Sequence, residues 1–137
     1  MFTKIPHDYA LAHGLARLGL GVNIALHGFV RLPQMQVFLS GLQKEFEKTF
    51  LPPSLILVSG WGIAIAEAII GTLLILGLFL RPTLIAGALL MIFLLGGVCL
   101  IQKWDIAGMQ LTYLAFYSVL LATIGWDRYS MDGWRRR

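Results

Sequence analysis

Arg17 and Glu67 each lie inside a long apolar stretch of a 137-residue chain that is 58% hydrophobic and only 13% charged. A charge at membrane depth costs roughly 2.5–3.5 kcal/mol on insertion scales, so two of opposite sign point to a pair or a site. The same stretches carry few other polar groups: His13, Asn23 and His27 around Arg17, and Gln110, Tyr113 and Tyr117 toward the C-terminus. A carboxylate, imidazoles, a guanidinium and phenols together could hold a carbonyl or anionic oxygen of a lipid headgroup and move protons to it. Glu67, Arg17 and His27 are therefore the expected catalytic residues, with Tyr113, Tyr117, Asn23, Gln110 and His13 as expected ligand contacts.

The elements that must position these groups are apolar segments about long enough to cross roughly 30 Å of hydrocarbon. There are four: Tyr9 to Arg31, Leu55 to Leu80, Thr83 to Ile101 and Ile106 to Trp126. The composition is far from that of a soluble domain. The expected fold is a single all-α membrane domain, a four-transmembrane-helix antiparallel bundle. The polar residues of the first segment leave no short, clean apolar core with a cleavage site, so it reads as a retained helix and not a signal peptide. Lys4, Arg81, Arg128 and Arg135 to Arg137 fall on one side, and Arg31, Lys44, Lys48 and Lys103 on the other. That bias puts both termini in the cytoplasm. The basic tail, 127–137, suits anionic lipid and fixes topology. Nucleic acid is not an expected partner.

On a helical wheel His13, Arg17, Asn23 and His27 share one face of the first span, and Gln110, Tyr113 and Tyr117 follow i, i+3, i+7 spacing in the fourth. Depth follows from 1.5 Å per residue, counted from Tyr9, Leu80 and Trp126. His13 falls at about 6 Å, Arg17 at about 12 Å, Tyr117 at about 14 Å, Glu67 and Tyr113 at about 20 Å, Asn23 at about 21 Å, Gln110 at about 24 Å and His27 at about 27 Å. Glu67 is thus expected to pair with Arg17, His27 or both, beside the phenols of Tyr113 and Tyr117. An ion pair that only sets helix register is the structural alternative.

Other chemistries are disfavoured. Cys99 is the only cysteine, so a thiol pair that relays electrons is excluded. Haem ligation by His13 and His27 needs a partner on a facing helix, and no other span contains His. No metal or haem is expected.

The connection 32–53 differs from the short turns elsewhere. Met35, Phe38, Leu39, Leu42, Phe46 and Phe50 recur at three- and four-residue steps, which predicts an amphipathic interfacial helix over about 34–50, ended by Pro52-Pro53. It serves either as an interfacial anchor or as a lid over a lipid-facing pocket. Leu80-Arg81-Pro82-Thr83 is the expected turn between the second and third spans, with Pro82 starting the third. Gly60, Ala64, Ala68 and Thr72, spaced by four, predict a close packing ridge.

Three stretches carry a family resemblance: Leu15 to Gly21 with His27-Gly28, Glu67 to Arg81, and Asp127 to Asp132. Together they resemble the DoxX family of small four-helix membrane proteins. The resemblance implies a relation to subunits of thiosulfate:quinone oxidoreductase and places Arg17, His27 and Glu67 at matching positions. Two functions of different class follow. One is a quinone-interacting subunit of an oxidoreductase in a bacterial-type inner membrane, for instance one of sulfur-compound oxidation, whose electrons come from a partner redox subunit. The other is a non-catalytic scaffold or assembly factor with a structural polar core. A homodimer and membrane lipids are further expected partners.

Overall fold

The computed structural model describes residues 6–136; Lys4 and Arg137 of the topology count lie outside them. Six helices follow in order: α1 (His7–Arg31), α2 (Met35–Glu45), α3 (Pro53–Leu76), α4 (Leu80–Leu100), α5 (Trp104–Ala122) and α6 (Met131–Arg135). No strand occurs among the described residues. Of these, α3, α4 and α5 are long and apolar enough to cross a membrane. The polar column of α1 lowers its apolarity although it runs 25 residues.

The ends of the elements follow local chemistry. Pro53 opens α3, where its missing N–H removes no bond. Gly77 closes α3 in the left-handed region at φ 66°, and the Leu78 N–H reaches back to the Leu73 carbonyl at 3.1 Å. The turn into α4 therefore falls at 77–79 and not at Arg81-Pro82; Pro82 lies within the first turn of α4. The helix α2 ends at Glu45, ahead of the expected Pro52-Pro53 stop. Hydrogen-bonded turns replace it, with the Thr49 N–H and hydroxyl both donating to the Phe46 carbonyl.

The long helices pack as two close pairs, α1 with α3 and α4 with α5, joined across α3–α4 and α1–α5. The α1–α3 seam is built of small residues. A Cβ on Gly28 would run into the backbone of Ala64 and Ala68, and one on Gly71 into Ala25. Further along, Gly21 faces Leu74 and Ile75. Absence of side chains at these points lets the two backbones touch. The predicted ridge is present, with two changes: Gly71 takes the place of Thr72, and Gly60 faces Leu39 and Leu42 of α2 instead of α1. Leu20, Ile24, Leu74, Leu84, Met91 and Leu120 fill the centre.

The chain after α5 folds back against the bundle instead of trailing as a tail. The Ser130 hydroxyl caps α6, accepting the Gly133 N–H at 2.8 Å. The Asp132 carboxylate accepts the Leu80 N–H at 2.7 Å, which caps α4. At the same end of the bundle His7 meets the Tyr129 phenol at 2.8 Å, and Tyr9 stacks on Trp126 at 4.8 Å between ring centres.

Candidate functional site

The glycine contacts set an antiparallel register in which residue 21 meets 75, 25 meets 71 and 28 meets 68. In that register residue 17 stands level with about 79, and Glu67 stands level with about 29. Arg17 and Glu67 are therefore separated by about twelve residues along the seam, roughly 18 Å at 1.5 Å per residue. Both side chains are buried, Arg17 at 1% exposure and Glu67 at 2%. They do not meet, which corrects the expected pairing. The depths reckoned from the ends of the apolar segments put the two helices about two turns out of register; close backbone contact through glycine overrides that estimate.

The polar column thus divides into two tiers. In the lower tier the Arg17 guanidinium donates from Nη1 to the Leu74 and Ile75 carbonyls, the latter at 3.0 Å, and from Nη2 to the Tyr129 carbonyl at 2.9 Å. Leu74 and Ile75 belong to the last turn of α3, where carbonyls run short of helical partners and Leu74 accepts only the Gly77 N–H at 3.2 Å, so a cation there serves both hydrogen bonding and the helix dipole. His13 Nδ1 lies 3.0 Å from the Thr123 hydroxyl. That hydroxyl donates its one proton to the Val119 carbonyl, so His13 Nδ1 carries the proton in this bond and Nε2 is left as an unpartnered acceptor. Buried Asp127 completes the tier, accepting from Ser130 and, at 3.1 Å, from Arg136. These contacts make the lower tier a clasp that joins α1, the end of α3 and the segment after α5.

The upper tier is centred on Glu67. Its partner is Arg31, the last residue of α1, which donates from Nη1 to Oε2 and lies 4.7 Å from the centre of the Phe38 ring on α2. His27 is not the hydrogen-bond partner expected of it. Its Nδ1 donates to the Asn23 carbonyl at 2.7 Å, one helical turn back. Asn23 therefore contributes its backbone oxygen here. Reading Arg31 as a topology charge alone missed its role, yet it follows His27 by four residues on the same face of α1.

Across the bundle, Tyr117 is fully buried and close enough to Glu67 to interact electrostatically. Its phenol fits a notch at Gly87, where an added Cβ would lie 2.7 Å from the hydroxyl oxygen. That hydroxyl has no hydrogen-bond partner, and neither does the buried Oε1 of Gln110. Tyr113 is half-buried and packs on the apolar core.

Above this tier, between α2, α3 and α4, lies an apolar cavity of about 570 Å³. Leu42 and Phe46 roof it from the α2 side, Ile56, Ser59 and Ile63 come from α3, and Ile106 from α5. Glu45 and Lys103 form an ion pair at its rim. Ile56, Ser59, Ile63 and Glu67 share one face of α3, and Ile106, Gln110, Tyr113 and Tyr117 share one face of α5. The cavity wall thus continues one turn down into Glu67 on α3 and Gln110 on α5, and Tyr117 follows on the same face of α5 two turns further on. The helix α2 covers this cavity as a lid would.

Neither the curated proteins nor the solved structures give a match. The DoxX family model matches residues 12–103, from α1 to the turn before α5, and so includes Arg17, His27, Arg31 and Glu67. On that match, with the three apolar helices, the chain belongs to the DoxX family of membrane proteins.

Proposed function

We propose that this DoxX protein spans a bacterial-type inner membrane four times and binds a quinone in its outer half, as the quinone-interacting subunit of a membrane oxidoreductase. In this reading α1 is the fourth span, since it packs along α3 for most of its length, and α2 lies in the interface. Both termini then fall on one side of the membrane, in keeping with the His7–Tyr129 contact at one end of the bundle.

The observation that carries the ligand is the pair of orphaned polar atoms, Tyr117 Oη and Gln110 Oε1, buried on the helix face that continues the cavity wall. A buried unsatisfied polar group costs about 1–3 kcal/mol; a quinone carbonyl would accept from the Tyr117 hydroxyl, and the O–H of the reduced quinol would donate to Gln110 Oε1. The Tyr117 hydroxyl is placed to donate to such an oxygen. Glu67, with Arg31 beside it, is placed to hold or deliver a proton. His27, protonated on Nδ1 by its bond to Asn23, presents Nε2 as an acceptor. The isoprenoid chain would occupy the apolar cavity under α2. When bound, the quinone would supply two-electron, two-proton chemistry, with the electrons arriving from a partner redox subunit, for instance one that oxidises a sulfur compound.

Arg17 has no part in this site. Three backbone carbonyls engage it, which favours a structural role for the lower tier as the scaffold reading has it. The two readings separate on extraction. Organic extracts of the protein purified in mild detergent should contain quinone at near one per chain, and Tyr117→Phe should lower that content at least tenfold while the protein stays folded. Quinone at the level of the bulk lipid in both proteins would overturn the quinone reading and leave the scaffold reading.

A further inference from the structure

We propose that the cleft at the α3–α4 turn binds the phosphodiester headgroup of an anionic phospholipid. This cleft, about 450 Å³, lies at the opposite end of the bundle from the lid helix and shares no residue with the quinone site. Arg81 reaches it from the first turn of α4, and Arg135 and Arg136 reach it from the C-terminal segment. Two elements distant in sequence thus bring three guanidiniums to one cavity.

Their charge is not balanced. Asp132 is the one carboxylate in the wall, and its oxygen is engaged by the Leu80 N–H while its backbone carbonyl accepts from Arg136 Nε at 3.2 Å. Arg136 is further tied to Asp127. Arg81 and Arg135 have no ion-pair or hydrogen-bond partner among the described residues. A guanidinium fork matches two oxygens of a phosphate as it does those of a carboxylate, so two free forks on one cleft suit a bidentate oxyanion, and the place of the cleft in the bundle makes that oxyanion a phosphodiester.

The position of the cleft argues for a lipid source. The helices α4 and α5, both apolar enough to cross a membrane, end at Leu80 and Ala122 beside it, so it opens where hydrocarbon gives way to headgroups. Phe79, in the cleft wall and 63% exposed, gives the glycerol end of an acyl chain an apolar surface.

The test uses the full chain in nanodiscs of equal phosphatidylglycerol and phosphatidylcholine with matched acyl chains, in buffer containing inorganic phosphate, released into a native mass spectrometer. The wild type should retain phosphatidylglycerol preferentially. Arg81→Gln/Arg135→Gln should lose that preference, by about fivefold for each arginine removed. Lys44→Gln/Lys48→Gln, an equal charge change on α2 and the turn that follows it, should keep it. Equal retention of both lipids by the wild type, or equal loss in both double variants, would overturn the site. Adducts of the mass of inorganic phosphate without lipid would reassign it to a water-soluble ligand. If the double variant does not fold, Arg135→Gln alone decides, because its side chain is exposed and makes no contact that folding requires; an unchanged preference then overturns the proposal.

Discussion

Arg31 and Glu67 form the ion pair of the upper tier, and they do so unequally: the Glu67 side chain is 3% exposed and that of Arg31 is 30% exposed. The cation can reach water if its partner is lost, whereas the carboxylate cannot. Because the Arg31 guanidinium also lies over Phe38, the one buried acid of α3 is linked through a single side chain to the helix that covers the apolar cavity.

Arg31→Gln should therefore destabilise the protein more than Glu67→Gln. Removing one partner of a buried pair typically costs about 3–5 kcal/mol, and the cost is greatest when the remaining charge stays buried. The double variant should recover part of the loss. Thermal unfolding in detergent, read as a double-mutant cycle, should give a coupling of about 1–3 kcal/mol. A coupling near zero would mean that the two groups do not interact in the folded protein.

Arg17→Lys should behave almost as badly as Arg17→Gln. An ammonium is a point donor and cannot meet the Leu74, Ile75 and Tyr129 carbonyls from one position as the planar fork does. We expect a lowered melting temperature and release of the C-terminal segment, seen as faster tryptic cleavage at Arg128 and Arg135. Unchanged cleavage in Arg17→Lys would show that the clasp does not depend on the fork.

Gly71→Ala and Gly28→Ala should each force α1 and α3 apart, since the added Cβ would meet backbone of the other helix. A loss of at least about 2 kcal/mol is expected, in the range of other overpacking substitutions. Gly19→Ala and Gly62→Ala, whose added methyl meets nothing within 4 Å, should be neutral or stabilising by up to about 1 kcal/mol, as for Gly to Ala in an exposed helix. Equal effects in the two pairs would contradict the close seam.

Tyr117→Phe should have opposite effects on stability and on ligand content. With the site stripped of ligand, removing a buried hydroxyl that has no partner should raise the melting temperature, by the equivalent of about 1 kcal/mol. Quinone content should fall in the same variant. A melting temperature that falls in the stripped protein would mean that the phenol has a protein partner.

Much of the architecture was legible from the residues in order. Hydrocarbon-length apolar runs can only be helices in a membrane, because every backbone polar group must find its partner within its own segment. The starts and stops of α1, α4 and α5 accordingly fall within a few residues of the expected spans. The stripe Met35, Phe38, Leu39 and Leu42 likewise predicted α2, and the one-sided polar face of α1 is the face turned inward. What order alone left open was which level of α1 meets which level of α3.

That level depends on Gly28 finding Ala64 and Ala68, and Gly71 finding Ala25, contacts that small residues permit but whose pairing along the seam is set by the shape of the two backbones. A slip of two turns changes nothing in the hydrophobic pattern of either helix, yet it exchanges the partner of Glu67 from Arg17 to Arg31 and sends Arg17 to the carbonyls at the end of α3. Composition and periodicity thus determined that a membrane bundle with charges in its interior would form. Only three-dimensional packing decided which charges meet, because interhelical register is set by steric contact across the seam, and a single strand of sequence carries no measure of that distance.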